Sequence, residues 1–252
     1  EDGVVFSRLT SVSPEVAALL SKLACRRLSF PAVRALTAEA AFALATFRGG
    51  LLFDSLSTLP EDVAEALSVH MGSMLSLNGI TTLTAESAEA LSHYAGGLSM
   101  TGLAEDTSLA AVHALGLFQG AWLDISGLAY LDFDVLFRLS SAPGEIFLNP
   151  TLRISPETAV SVVSARLQTG RDTYFFNDII PLTPQVLLCF AGREETMVLP
   201  GLTTLDVQSA DVLSRCAGML ELPGLTALSA DAAAWLCEAK GALLLDGLYE
   251  VD

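Results

Sequence analysis

A chain of 252 residues with 52% apolar residues and a mean hydropathy of +0.52 is apolar for a soluble protein. Yet no run of 18 apolar residues exists that could span a bilayer, so no membrane span is expected. A formal charge of −16 argues against nucleic acid, whose phosphates need a basic patch, and against anionic membrane surfaces; it suits solubility or a basic partner.

Taken in order, the chain offers eleven strand starts, at Val4, Leu28, Leu51, Leu75, Leu98, Leu123, Ile146, Tyr174, Met197, Leu220 and Leu243. Their spacings are 24, 23, 24, 23, 25, 23, 28, 23, 23 and 23 residues. A fixed period of this size signals a solenoid, in which no unit buries its apolar side alone and each leans on its neighbours. The period overrides the length prior and predicts a single elongated domain over 1–252.

The unit from Leu75 to Gly96 shows the pattern most cleanly, with Leu75 as position 1. Leu75 and Leu77 alternate with Ser76 and Asn78, the period of a short strand with one buried face. Gly79 at position 5 is expected to serve a sharp backbone turn, and glycine recurs there at Gly102, Gly127, Gly201, Gly224 and Gly247. Ile80 and Leu83 fill the corner. Thr84-Ala85-Glu86 then opens a helix, the hydroxyl capping free N–H groups and the carboxylate complementing the dipole. Gly96 is expected to end that helix. Helix starts recur at Ser13-Pro14-Glu15, Thr37-Ala38-Glu39, Ser155-Pro156-Glu157 and Ser229-Ala230-Asp231. Three irregularities stand out: residues 105–108 disturb one corner, Arg166 to Asp172 hold an insertion, and Arg193 to Thr196 follow a shortened helix.

The strands Leu98-Ser-Met-Thr-Gly-Leu103, Leu123-Asp-Ile-Ser-Gly-Leu128, Leu220-Glu-Leu-Pro-Gly-Leu225 and Leu243-Leu-Leu-Asp-Gly-Leu248, each part of a helix-bearing unit of about 23 residues, resemble the leucine-rich-repeat superfamily in a bacterial-looking variant. The resemblance covers essentially the whole chain. It implies an α/β fold: a right-handed β-α solenoid with a parallel concave sheet of about eleven short strands and helices on the convex side. It also implies a protein-binding scaffold rather than an enzyme. One departure is that Ile80, Leu103, Leu128, Leu202, Leu225 and Leu248 stand where the family commonly has asparagine or cysteine, so the turn's backbone groups must be satisfied otherwise.

In such a sheet the residue before position 1 and those at positions 2 and 4 face outward, and here most are small and polar, Ser76, Asn78 and Ser99 among them. Against them stand Trp122, Phe147 and Phe175, in three consecutive units and bordered by Asp124, Glu145, Asn149 and Asn177. Clustered exposed aromatics rimmed by polar groups mark recognition sites, and this patch is the expected partner-binding surface. The competing expectation is that the insertion after Arg166 folds over the rings, or that ragged register turns them inward. A second apolar strip, Val198, Pro200, Pro223 and Leu244, either extends the surface or packs on further repeats or a cap.

Other chemistry is thin. Asp124 and Glu145 on adjacent strands allow an acid/base pair of the glycosidase kind, but acids on a solvated sheet are commoner than catalytic ones. His70, His93 and His113 lack ligand spacing and read as solvated or core residues; Trp235 reads as helix packing. Cys25, Cys189, Cys216 and Cys237 read as small buried hydrophobes, with a disulfide between neighbouring units as the alternative. No cofactor and no metal is expected. Three functions remain in order: a non-catalytic scaffold for an unidentified protein, a carbohydrate-binding surface, and an enzyme. The chain reads as a mature fragment or excised domain, so secreted, cell-surface and cytoplasmic settings all fit.

Overall fold

The structure, a computed structural model, describes residues 3–104, 106–149, 152, 154–168 and 182–251. The chain divides into two compact units, 1–152 and 153–252. In the first, seven three-residue strands form one sheet in sequence order: β1 (Gly3–Val5), β2 (Arg27–Ser29), β3 (Gly50–Leu52), β4 (Met74–Ser76), β5 (Gly97–Ser99), β6 (Trp122–Asp124) and β7 (Glu145–Phe147). All neighbours pair in parallel. Each strand begins one residue before position 1 of its unit. The register carries Val4 onto Leu28, then Leu51, Leu75, Leu98, Leu123 and Ile146. That is the repeat of the sequence laid side by side.

Helices α1 (Pro14–Leu20), α2 (Ala38–Ala45), α3 (Glu61–Ser68), α4 (Ala85–Ser92), α5 (Leu109–Leu115) and α6 (Phe133–Ser140) alternate with the strands. Side-chain oxygens of Ser13, Thr37, Thr84, Ser108 and Asp132 accept from the third residue beyond, as N-caps do. The core lies between strands and helices. Leu28, Leu51, Leu75, Leu98 and Leu123 at position 1 are fully buried, as are Phe30, Phe53, Leu77, Met100 and Ile125 at position 3. Phe6, Phe30 and Phe53 stack as a ladder, with ring centroids 5.3 and 5.0 Å apart.

The second unit repeats the scheme with two-residue strands. It holds α7 (Pro156–Gln168), α8 (Pro184–Leu187) continued by a 3-10 turn over Leu188–Phe190, α9 (Val207–Ser214) and α10 (Ala230–Leu236). Strands β8 (Met197–Val198), β9 (Leu220–Glu221) and β11 (Leu243–Leu244) pair in parallel with Met197, Leu220 and Leu243 in register. A second ladder joins β10 (Ala227–Leu228) to β12 (Glu250–Val251). This corner pairing was not anticipated from position 9 of the repeat. The fold is thus the expected α/β repeat of parallel strands and short helices. The strand count differs: the described strands form sheets of seven, three and two, and the unit starting at Tyr174 lies outside the described residues.

Several local expectations need correction. Among the described residues the only glycine with positive φ is Gly192, so the position-5 glycines do not serve an unusual turn. They serve close approach: a Cβ on Gly79 would lie 2.5 Å from Asp54 O and 2.6 Å from Leu56 O of the preceding coil. Gly96 does not end α4, which stops at Ser92 with His93 as C-cap. Instead a side chain on Gly96 would collide with the Tyr94 ring and hydroxyl. The turn that lacks asparagine is closed by its own backbone, Ile80 N donating to Leu77 O, Leu103 N to Met100 O and Leu128 N to Ile125 O at 3.0–3.2 Å. The cysteines are unpaired, and only Cys216 is buried; Cys25 and Cys189 are half-buried and Cys237 is exposed at the C-cap of α10. Burial pushes the Cys216 thiol up to about 11, which keeps it protonated and inert. Trp235, within α10, is 38% exposed.

Candidate functional site

The open face of the seven-stranded sheet gathers four of the expected partner-binding residues. In register, Gly97 pairs with Trp122 and Trp122 with Glu145, while Ser99 pairs with Asp124 and Asp124 with Phe147. Each aromatic ring therefore stands directly across from a carboxylate, and the two rings occupy one diagonal of the β6–β7 pair. Trp122 and Phe147 meet edge to face, centroids 6.3 Å apart at 78°. Such pairs add roughly 0.5–1.5 kcal/mol beyond area burial. Phe147 is 48% exposed, Trp122 half-buried, Glu145 exposed and Asp124 half-buried, so register does not turn the rings inward.

Glycine decides where the indole goes. A Cβ on Gly97 would fall inside the Trp122 ring system, so the indole lies back across the preceding strand. The same relation recurs two coils apart. A Cβ on Gly50 would be 3.3 Å from Met74 Cε, and one on Gly3 would be 2.5 Å from Arg27 Cγ. Along this row the chain alternates glycine with a long side chain, up to Trp122. At Glu145 the alternation breaks, and an exposed acid stands beside the indole.

These side chains wall an open cavity of about 470 Å³, with Met74, Trp122 and Phe147 as the apolar walls and Asp124 and Glu145 as the acidic ones. The volume falls within the usual range for ligand pockets. Its floor is a hydrogen-bonded row across three strands. Ser99 Oγ donates to Asn78 Oδ1 at 2.8 Å, Asn78 Nδ2 donates to Ser76 Oγ at 3.0 Å, and Ser76 Oγ donates to Asp54 Oδ1. Thr101 N also donates to Asn78 Oδ1, at 3.1 Å. This network corrects one expectation: Ser76 faces the open side but is only 4% exposed, because Asp54 and Asn78 close over its hydroxyl.

Of the other expected residues, Asn149 is half-buried two residues beyond Phe147 and does not line the cavity. Phe175 and Asn177 lie outside the described residues, as does most of the insertion. In the second apolar strip, Val198 and Pro200 are half-buried and Pro223 and Leu244 exposed. Asp124 and Glu145 sit on the opposite diagonal from the rings, offset by two residues rather than face to face. Asp124 Oδ1 accepts from Ser126 N at 3.1 Å.

The histidines do other work. His70 is 5% exposed, with Nδ1 3.2 Å from Ala45 O and Nε2 3.0 Å from Gly49 O, and it stacks on Tyr94 at 5.9 Å. Burial holds its pKa below the ordinary value, against the pull of those carbonyls. Tyr94 donates its hydroxyl to Gly72 O at 2.8 Å, and burial raises its pKa. His93 is exposed and His113 pairs with Asp132 at 2.9 Å. Among the described residues no group of three His, Cys, Asp or Glu is placed to hold a metal. No helix among them is long and apolar enough to cross a membrane.

One feature escaped sequence reasoning although its signal was present. Lys22, Arg26 and Arg48 line an open recess of about 1030 Å³ beside the starts of β1 to β3. Six of the 13 lysines and arginines fall within residues 3–48, and none between Gly49 and Phe137, where eleven Asp and Glu lie. The net charge hid this segregation.

No protein-family model and no curated protein matches the sequence. Among solved structures the chain is similar to a leucine-rich-repeat protein of Leptospira interrogans, at 14% identity and a TM-score of 0.48, with 97% of this chain covered and 64% of that one. The chain thus spans less than two thirds of that protein's length. The repeat architecture of this chain is carried by its own coil spacing and strand register.

Proposed function

We propose that the chain is a non-catalytic recognition scaffold that docks another protein on the open face of its seven-stranded sheet. The observation that carries this reading is the pair Trp122 and Phe147, held on the open face with Asp124 and Glu145 beside them and lining one cavity. Leaving aromatic area in water is unfavourable, and large side chains that a partner can desolvate supply most of the energy at protein interfaces. The floor below is prearranged by its hydrogen bonds, so little ordering cost attends binding. The partner is a protein with basic surface, as the charge of −16 favours. The same coil spacing on both sides of residue 152 supports reading 1–252 as one repeat array.

The test uses a phage-displayed library of random 12-residue peptides selected on the wild-type chain. Selected peptides should lose at least tenfold in affinity on the variant Trp122→Ala/Phe147→Ala. Equal binding to that variant would remove the docking face from this location, and binding of sugars but no peptide on a glycan array would replace a protein partner with a carbohydrate.

A further inference from the structure

We infer that the cavity over β4 to β7 receives one cationic side chain of the partner, an arginine guanidinium stacked on Trp122 and hydrogen-bonded to Asp124 and Glu145. This rests on the docking reading of the same face and adds the chemistry of what enters it.

Three independent features of the cavity agree. The first is polarity. In the floor every hydroxyl proton runs one way, Ser99 to Asn78 and Ser76 to Asp54, with Asn78 linking them. Ser99 Oγ has spent its proton on Asn78 and is left as an acceptor. The walls add two carboxylates, which only accept. A lining in which the two carboxylates and Ser99 Oγ accept favours a ligand rich in donors. A guanidinium has five N–H donors and no acceptor, whereas a sugar hydroxyl needs both kinds of partner.

The second feature is shape and apolar area. The indole of Trp122, laid back over Gly97, and the Phe147 ring at 78° to it form a corner. Planar cations stack on aromatic faces, tryptophan best, and arginine also buries a three-carbon stem against apolar walls such as Met74. Each carboxylate stands across the strand pair from a ring, so a cation held over either ring is near an acid.

The third feature is long-range field. The chain from Gly49 to Phe137, which supplies all of the cavity lining except Glu145 and Phe147, carries eleven acids and no lysine or arginine. The cationic recess at Lys22, Arg26 and Arg48 belongs to earlier coils. A positive group is therefore drawn to this end of the sheet and repelled from the other.

The test uses a Trp235→Phe chain, in which Trp122 is the single tryptophan. Its emission is titrated at constant ionic strength with the peptide Ac-Gly-Gly-Arg-Gly-Gly-NH2 and with the same peptide bearing citrulline, which has arginine's shape without its charge. The expected result is a saturable emission change with the arginine peptide in the millimolar range, at least tenfold tighter than with citrulline. The Asp124→Asn/Glu145→Gln variant, checked for an unchanged circular-dichroism melt, should weaken it at least tenfold. A citrulline peptide that binds as well, or no saturable change with arginine up to about 10 mM, roughly −2.7 kcal/mol of binding, overturns the inference. If peptides selected from the random library still lose affinity on Trp122→Ala/Phe147→Ala while arginine gives no response, the docking face survives and its arginine specificity does not. If both tests fail, both readings fall together.

Discussion

Trp122 occupies the space that a side chain on Gly97 would need, so the largest ring on the open face is positioned by the smallest residue of the neighbouring strand. Two kinds of glycine follow from this. Gly97 makes room for a movable side chain, whereas Gly79, Gly102 and Gly127 make room for the backbone carbonyls of the preceding coil.

Substitution should separate the two kinds. Gly97→Ala pushes the indole into another rotamer, a cost of about 0.5–1.5 kcal/mol, and should remove the cavity wall with little effect on the urea midpoint. Gly79→Ala drives a methyl against Asp54 O and Leu56 O, which cannot rotate away, and should cost about 1–3 kcal/mol in the same measurement.

A second prediction concerns the joint between α4 and the coil before it. Ser87 is fully buried; its N–H donates to the Thr84 cap and its hydroxyl donates to Leu59 O at 2.8 Å. Ser87→Ala leaves that buried carbonyl short of a donor and should lower stability by about 1–3 kcal/mol. Thr84→Ala removes the cap and the hydrogen bond that Thr84 Oγ1 donates to Ser87 Oγ at 3.1 Å but leaves the Leu59 carbonyl its donor, and a loss of about 1 kcal/mol is expected from chemical denaturation.

The third prediction is a pH dependence. Burial lowers the folded pKa of His70 below its ordinary 6.5. Above about pH 7 the imidazole is neutral in both states and its contribution is complete. As pH falls through 6.5 the unfolded chain takes up a proton that the folded chain resists, so stability falls until pH passes below the folded pKa. His70→Phe, matching Phe47 one coil earlier, should flatten that part of the stability curve. Denaturation of both chains between pH 5 and pH 8 gives the comparison.

Much of this was legible in the sequence because the coil copies itself. Period-2 alternation at Leu75 and Leu77 fixed the buried face of each strand, and the register of Val4 through Ile146 follows from it. What stayed hidden depends on contacts between coils, which no single unit contains. The role of Gly79 is set by carbonyls 23 and 25 residues upstream, so local reasoning mistook close approach for a turn. Ser76 is covered by Asp54 and Asn78, and neither neighbour is apolar, so no hydropathy pattern announces its burial. In the site, the aromatic pair and its acids were readable from strand parity. The alternation of Gly3, Gly50 and Gly97 with Arg27, Met74 and Trp122 was also written in the chain, but it becomes meaningful only once the strands lie side by side.

The most direct check is a urea denaturation of three chains: wild type, Trp122→Ala/Phe147→Ala and Leu123→Ala. Leu123 is fully buried between the two outward-facing residues of β6, and its truncation should cost about 2–5 kcal/mol. If the open face is kept for a partner, the double variant loses less stability than Leu123→Ala despite removing far more aromatic area. A double variant that loses as much or more would place these rings in the core and contradict the docking face.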